Sequence, residues 1–337
     1  MPAIDPSQYQ WIKIDKNDGV CTLTLNNPRR KNAVSRPMHQ EIERIWDDVD
    51  RDDDIRVVIL TGEGGAFCAG TDLSMQDGEN QTGRKGRPPT KSARRLFWNM
   101  LDAEKPIIAK VRGPAYGVGV NIALACDMVI AAEGAKFCDS HVRMGIAPGD
   151  GGVAFFPLLL GFHRAKEYLM LGEAIVAEKA AEIGLINYCV PDAELDDFVD
   201  GYARRLAAGP PLAISYGKMS VNLLLKQMTA GAFETSLAYD QLTLFTDDQR
   251  KAHARSWKSA IRCSREARSL PHRHCERSEA IQSRAIRPGL LRYARNDELG
   301  QPFRAGSPPD SAGRRAWRGG FPRPSAPCSR AKRGSRR

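Results

Sequence analysis

The sequence predicts an α/β fold in which strand-then-helix units repeat and the strands run parallel, joined by right-handed crossovers. Two apolar runs of strand character, Val57-Val-Ile-Leu60 and Ile107-Ile-Ala-Lys-Val111, are each followed by a glycine-bearing turn and then by helical sequence. The turns are Gly65-Ala-Phe-Cys-Ala-Gly-Thr-Asp-Leu73 and Gly113-Pro-Ala-Tyr-Gly-Val-Gly-Val-Asn121. Glycine there permits positive φ and close approach of a ligand to the backbone. Two such turns can aim two N–H groups at one oxygen, as an oxyanion hole does, each donor contributing roughly 3 kcal/mol in a transition state.

Upstream, Val20-Cys-Thr-Leu-Thr-Leu25 alternates as a strand does, and Arg36 to Asp50 has helical spacing of Met38, Ile42, Ile45, Trp46 and Val49. Residues 76–92, rich in Gly, Arg, Lys and Pro, read as a mobile loop beside the first turn. Residues 193–257 are helical by pattern, with Leu206, Leu223, Leu224, Leu225, Phe233 and Leu237 as expected packing residues.

Of the 337 residues, 259–337 carry 19 Lys and Arg against 6 Asp and Glu, leaving residues 1–258 at 31 basic against 34 acidic. The formal charge of +10 is therefore a property of the tail. That tail has 18 Arg to one Lys, is dense in Pro, Gly and Ser, and lacks apolar periodicity, so it reads as disordered. Non-specific contacts to nucleic acid are within its reach, but it has neither interleaved aromatics nor a basic helix that would argue for a nucleic-acid protein. His274-Cys-Glu-Arg-Ser-Glu-Ala-Ile-Gln282 and Leu291-Arg-Tyr-Ala-Arg-Asn-Asp297 resemble peptides translated from bacterial intergenic repeats, and the expectation is a frameshift or read-through product.

Five cysteines (Cys21, Cys68, Cys126, Cys138, Cys189) precede the tail, with no C-x-x-C pair and no Cys/His metal spacing. Neither a signal pattern nor a run of about 18 apolar residues is present, so the expectation is a cytoplasmic protein with no membrane span and no metal.

The two glycine turns, with Asn26-Asn-Pro-Arg-Arg-Lys-Asn-Ala33 before them and Ala125-Cys-Asp-Met-Val-Ile-Ala131, Gly145-Ile-Ala-Pro-Gly-Asp-Gly-Gly152, Arg164-Ala-Lys-Glu-Tyr-Leu-Met-Leu-Gly-Glu173 and Ala177-Glu-Lys-Ala-Ala-Glu-Ile-Gly-Leu-Ile-Asn187 after them, resemble the enoyl-CoA hydratase/isomerase (crotonase) superfamily over residues 8 to 257. The resemblance implies a spiral of ββα units over 1–192, a helical C-terminal layer that covers the site and makes trimer contacts over 193–258, and a non-family tail over 259–337. It implies an acyl-CoA substrate in fatty acid metabolism, coenzyme A as part of the substrate with no prosthetic group, a homotrimer or dimer of trimers, and a lid role for the loop 76–92.

By the same resemblance the oxyanion amides fall at Thr71 and Val118, and backbone contacts to adenine fall at Ala33, Ala69 and Leu73, with Arg29, Arg30 and Lys31 near the phosphates. Val118 stands where the family usually has glycine, which restricts φ and adds bulk. The two glutamates of the family's hydratases fall at Asn121 and His141. Asn121 can orient a water but cannot take its proton, whereas an imidazole titrates near neutrality. Asp150, nine residues after His141, can orient that ring or face the substrate, and the pair resembles the superfamily's β-diketone hydrolases. Asp139 is an alternative partner; Asp72 and Asp127 read as structural. Three functions stay open: an enzyme of the enoyl-CoA hydratase/isomerase type working through a stabilised enolate, a hydrolase of cyclic β-diketones, and an inactive CoA-binding subunit.

Overall fold

A computed structural model describes residues 4–72 and 90–255. Leu73, residues 76–89 of the expected lid, Trp257 and the whole Arg-rich tail lie outside the described residues.

Strands β1 (Ile12–Asn17) and β2 (Val20–Leu25) form an antiparallel hairpin around Asp18 and Gly19, both at positive φ as a tight two-residue turn requires. The chain then enters helix α1 (Arg36–Arg51), which buries all five apolar positions of its predicted stripe. Strands β3 (Val57–Gly62), β4 (Ile107–Val111), β6 (Met128–Ala132) and β9 (Tyr188–Val190) follow parallel to β2, and among the described residues the sheet order is β1-β2-β3-β4-β6-β9. The one antiparallel pair of this sheet is the hairpin, where a two-residue turn leaves no room for a crossover.

A smaller sheet of β5 (Pro114–Tyr116), β7 (Lys136–Cys138) and β8 (Ile175–Val176) lies one turn downstream in each unit: β4 leads to β5, and β6 to β7. Cys68 bridges Ala115 in the same direction, so the segment after β3 joins β5 and β7 as the first rung of the spiral. Helix α2 (Thr90–Asp102) follows that rung, α3 (Val118–Ala125) follows β5, and α4 (Gly152–Leu160) and α5 (Phe162–Leu171) follow β7. Helix α6 (Ala177–Glu182) precedes β9.

The central strands β3 and β4 are covered on both faces, which is why they read as continuous apolar runs, whereas β2 alternates. Val58, Leu60, Ile107 and Ala109 point into the main core with α1, α2 and α3. Val57, Ile59, Ile108 and Ile130 meet Leu195, Val199 and Ala203 of α7 (Leu195–Ala207) on the other face. Helix α3 is buried on every side, and Asn121 is the only polar side chain in it.

The long helix α8 (Pro211–Thr243) closes the main core with Phe233 and Leu237, the Phe233 ring meeting Phe97 edge-on at 6.0 Å. Leu225 is partly buried against this core, and Leu206 packs against the α7 side. Leu223 and Leu224 depart from expectation: both are more than half exposed, because Leu224 projects from the face of α8 opposite Phe233 and Leu223 lies on the flank of the buried stripe. No helix of the described residues is long and apolar enough to cross a membrane.

The loop between β2 and α1 is fixed by one buried amide. Asn32 accepts from Asn27 N–H at 2.9 Å and donates to the Glu63 and Ala66 carbonyls at 2.9 and 2.8 Å. It thereby ties residues 27–33 to the first glycine turn. Asn32→Ala is expected to cost about 3 kcal/mol in urea unfolding, since three backbone groups lose their partner at a site closed to water; a loss below about 1 kcal/mol would show that the loop holds without this side chain.

Candidate active site

The two glycine turns meet backbone to backbone. Gly70 has φ +103° and Gly117 φ +52°, both open to glycine. A Cβ on Gly70 would sit 3.1 Å from the Tyr116 carbonyl oxygen and 3.9 Å from Gly117 Cα; one on Gly119 would sit 2.5 Å from the Cys68 carbonyl oxygen. Val34 N–H donates to Gly70 O at 2.8 Å and Val34 O accepts from Asp72 N–H at 3.0 Å. Those two bonds straddle Thr71, so the N–H of Thr71 faces away from Val34. Val118 is the first residue of α3, where N–H groups have no intrahelical acceptor. Its backbone is helical, and the positive φ falls on Gly117 instead, which removes the steric objection to a β-branched residue at 118.

Around this turn pair stands a charged cluster. His141 opens a short 3-10 turn, His141–Met144, closed by Gly145 in the left-handed region. Its Nδ1 lies 2.6 Å from Asp139 Oδ1 and its Nε2 3.1 Å from Asp150 Oδ1, which also accepts from Asn121 Nδ2 at 2.8 Å. Burial pushes the imidazole toward neutrality, but the Asp150 and Asp139 carboxylates outweigh it and hold the ring well above its ordinary range. With a carboxylate oxygen facing each ring nitrogen, the arrangement favours the protonated ring, in which both nitrogens donate. Asp139, Asp150 and His141 also present donor atoms within 4.8 Å of one another, the separation a metal ion would need, though each ring nitrogen already faces a carboxylate. Two buried oxygens, Asp139 Oδ2 and Asn121 Oδ1, have no hydrogen-bond partner among the described residues.

The cluster adjoins the turns directly. A Cβ on Gly117 would lie 3.4 Å from Ser140 Oγ, one residue before His141, and Asn121 is three residues after Val118 on α3. Asp139, expected only as an alternative partner, is thus a full one, opposite Asp150 on the ring. A residue not expected at all is Asp240 of α8. Burial pushes its carboxyl up to about 7, with His141 pulling it down and Asp150 and Asp139 pushing it further up. The sequence does carry a signal for it: Phe233, Ser236, Leu237 and Asp240 share one helix stripe, and an acid on an apolar stripe is an anomaly.

The positions expected near coenzyme A come together less completely. Ala69 N–H donates to Lys31 O at 2.9 Å, and Asn27 Nδ2 donates to Ala33 O at 2.9 Å. Arg29 and Arg30 are exposed, and Arg30 is paired at 2.6 Å with Asp72, which is buried. Asp127 is structural as expected: it pairs with Lys218 at 2.8 Å and accepts from Ile107 N–H at 2.7 Å. The Cys68 thiol, behind the first turn, is pushed up to about 12 by burial and is no nucleophile at neutral pH.

Residues 15–263 match the family model described as enoyl-CoA hydratase/isomerase. The chain belongs to that family. It is 36% identical over 248 residues to the 1,2-epoxyphenylacetyl-CoA isomerase of Escherichia coli (strain K12), covering 72% of this chain and 90% of that one. It is 34% identical over 246 residues to the short-chain-enoyl-CoA hydratase of Clostridium acetobutylicum, covering 72% and 92%. A solved enoyl-CoA hydratase/isomerase from Xanthobacter autotrophicus Py2 superposes with a TM-score of 0.69 at 30% identity, covering 78% of this chain and all of that one. The fold is therefore the crotonase fold, and in it Asn121 and His141 stand on either side of Asp150.

The ion pairs also set a pH dependence of stability. The folded pKa of His141 is raised, so its stabilisation is complete below the unfolded value of about 6.5 and is lost as pH rises through the folded value. His141→Gln is expected to destabilise by about 3–5 kcal/mol near pH 6, because Asp139 is left buried and unpaired. Denaturant titrations at pH 6 and pH 10 check this: the difference between wild type and variant should shrink at the higher pH, and an equal difference at both would mean that the ring is neutral.

Proposed function

We propose that this crotonase-family enzyme binds an acyl-CoA thioester with its carbonyl oxygen between the N–H groups of Thr71 and Val118, and that Asp150 is the base which moves a proton on the acyl group. The observation that carries the reading is the Asp150 carboxylate, fixed by Asn121 Nδ2 and His141 Nε2 beside the contact of Gly70 with Gly117. Negative charge appears on the thioester oxygen as an enolate forms. Two backbone donors stabilise it, each by roughly 3 kcal/mol, and the dipole of α3 adds to the second.

His141 takes a role other than that of a free base. An imidazolium that donates from both nitrogens has no lone pair for a water proton, so it holds Asp150 in place and balances its charge. Asn121 does the same from the opposite side. The reactions open to this arrangement are double-bond isomerisation and hydration; in the latter Asp150 takes the proton of a water that adds at C3. Hydrolysis of a β-diketone by a neutral His141 is disfavoured on the same ground.

Coenzyme A would enter as part of the substrate along Ala33, Ala69 and Leu73, with Arg29 and Lys31 toward its phosphates; Arg30, held by Asp72, is less available. The exposed apolar residues of α8, among them Val221, Leu224 and Leu242, favour self-association, and a homotrimer or dimer of trimers in the cytoplasm is the assembly proposed.

Turnover of crotonyl-CoA, followed by loss of enoyl absorbance, tests the reading. Asp150→Asn should lower kcat by about 10²- to 10⁴-fold with little change in affinity for the CoA ester. Unchanged kcat would remove Asp150 from the chemistry, and ester binding without turnover in the wild type would favour a binding subunit. Val118→Pro is the matching test of the backbone donor: proline is tolerated at the first helical position but has no N–H, so α3 should persist while kcat falls about 10²- to 10³-fold. An active proline variant would rule out the amide.

A further inference from the structure

We propose that Asp240, brought into the site by the C-terminal helix α8, is a second acid–base residue that gives a proton to the substrate while Asp150 takes one. This rests on the acyl-CoA reading above. The placement is specific. Gly149 precedes Asp150, and a Cβ there would lie 2.3 Å from Asp240 Cβ and 3.1 Å from its Cγ, so only glycine admits the acid at this point. The loop and helix are also stitched together on both sides of the contact. Ser236 Oγ donates to Gly149 O at 3.3 Å, and Ala147 N–H donates to Thr243 Oγ1 at 2.9 Å.

The groups that act on Asp240 come from two elements. On its own helix, Gln241 Nε2 donates to Oδ2 at 2.9 Å. From the loop that packs against it come His141, Asp150 and Asp139. Two neighbouring carboxylates and burial favour the protonated acid, whereas the imidazolium opposes it, and the balance leaves the carboxyl pushed up to about 7. Asp150, by contrast, accepts two hydrogen bonds on one oxygen, as a carboxylate does. Two carboxyl groups whose surroundings differ in this way divide into acid and base.

The step balances for hydration. A water proton passes to Asp150, the water oxygen bonds C3, the C2–C3 π pair becomes the C1–C2 π bond, and the carbonyl π pair moves onto the thioester oxygen. The enolate then collapses, and C2 takes the Asp240 proton. Asp240 is left as carboxylate and Asp150 as acid, and transfer of that proton back to Asp240 restores the starting state. In isomerisation the same two groups remove a proton from one carbon and supply one to another.

The test is the pH profile of crotonyl-CoA turnover in full-length wild type and Asp240→Asn, a near-isosteric change. Since Asp240 must be protonated, wild-type kcat should fall above about pH 7, and the variant should lose at least about tenfold in kcat with KM within about twofold, its alkaline limb gone. A variant that keeps the limb, whatever its rate, would overturn the proposal and leave Asp240 a packing residue. A second readout is independent of substrate. With ¹³C-labelled histidine, the His141 resonance, assigned by its loss in His141→Gln, should inflect near pH 7 in wild type and not in Asp240→Asn. No inflection in wild type overturns the proposal. An inflection in a chain that does not turn over enoyl-CoA retains the acid–base pair and places the failure on the acyl substrate.

Discussion

The close contact between two backbone turns is the constraint on which the rest of this molecule depends. Gly70 and Gly117 belong to successive rungs of the spiral, and they touch only because Cys68 bridges Ala115 and because β3 and β4 run parallel with their ends level. Three further glycines are there for the same reason. A Cβ on Gly62 or Gly113 would strike a backbone oxygen, of Ala66 at 2.2 Å and of Gly65 at 2.1 Å, and one on Gly119 would strike Cys68. Side-chain identity at the neighbouring positions is then free to vary. That is how a β-branched residue is accommodated at Val118: the contact is made by Gly117, and the helix begins one residue later.

The cluster beside this contact is expensive to bury and is not there for stability alone. An imidazolium and its carboxylates lose hydration on folding, and a pair of apolar residues of like volume would often do as well or better. The arrangement gains geometry instead. His141 is held at both nitrogens, Asp150 is held by two donors on one oxygen, and Asn121 is immobile within a helix that is buried on every side. A carboxylate confined in this way loses little freedom when it meets a substrate, which is the condition for efficient proton transfer.

Much of the fold was legible in the sequence, because burial on both sheet faces writes long apolar runs and burial on one helix face writes a stripe. Strand β3 and the stripe of α1 are read directly in this way. The hairpin partner β1 was less legible, since Ile12–Asn17 is mostly polar and exposed at the sheet edge. In the site, His141 and Asp150 could be read from motif positions nine residues apart. The shorter contact of Asp139 could not, as it depends on how a 3-10 turn folds the ring back over two residues; Asp240 was marked only as an acid on an apolar stripe, and its meeting with the cluster depends on a helix about 90 residues downstream. Leu223 and Leu224 failed as core residues for a related reason. Composition marks them as apolar, but only the rotation of α8 about its axis decides which face meets Phe97.

That rotation links the two faces of α8. Phe233, Ser236, Leu237 and Asp240 turn inward to the core and the charged cluster, while Val221, Leu224, Met228 and Leu242 turn outward and remain uncovered in the single chain. A helix of 33 residues is stiff, so pressure on the outward face is felt along the inward one. Lys218 and Asn222 pin its first half to Asp127 and to the Leu101 carbonyl, whereas its second half is pinned by Ser236 and Thr243 to the very loop that carries Asp150. Covering the outward face with a second copy of the chain would hold this second half against the loop at no cost to the site. Leaving it bare puts the position of Asp240 at the mercy of the helix end, so in this reading assembly and proton transfer are coupled through one rigid element.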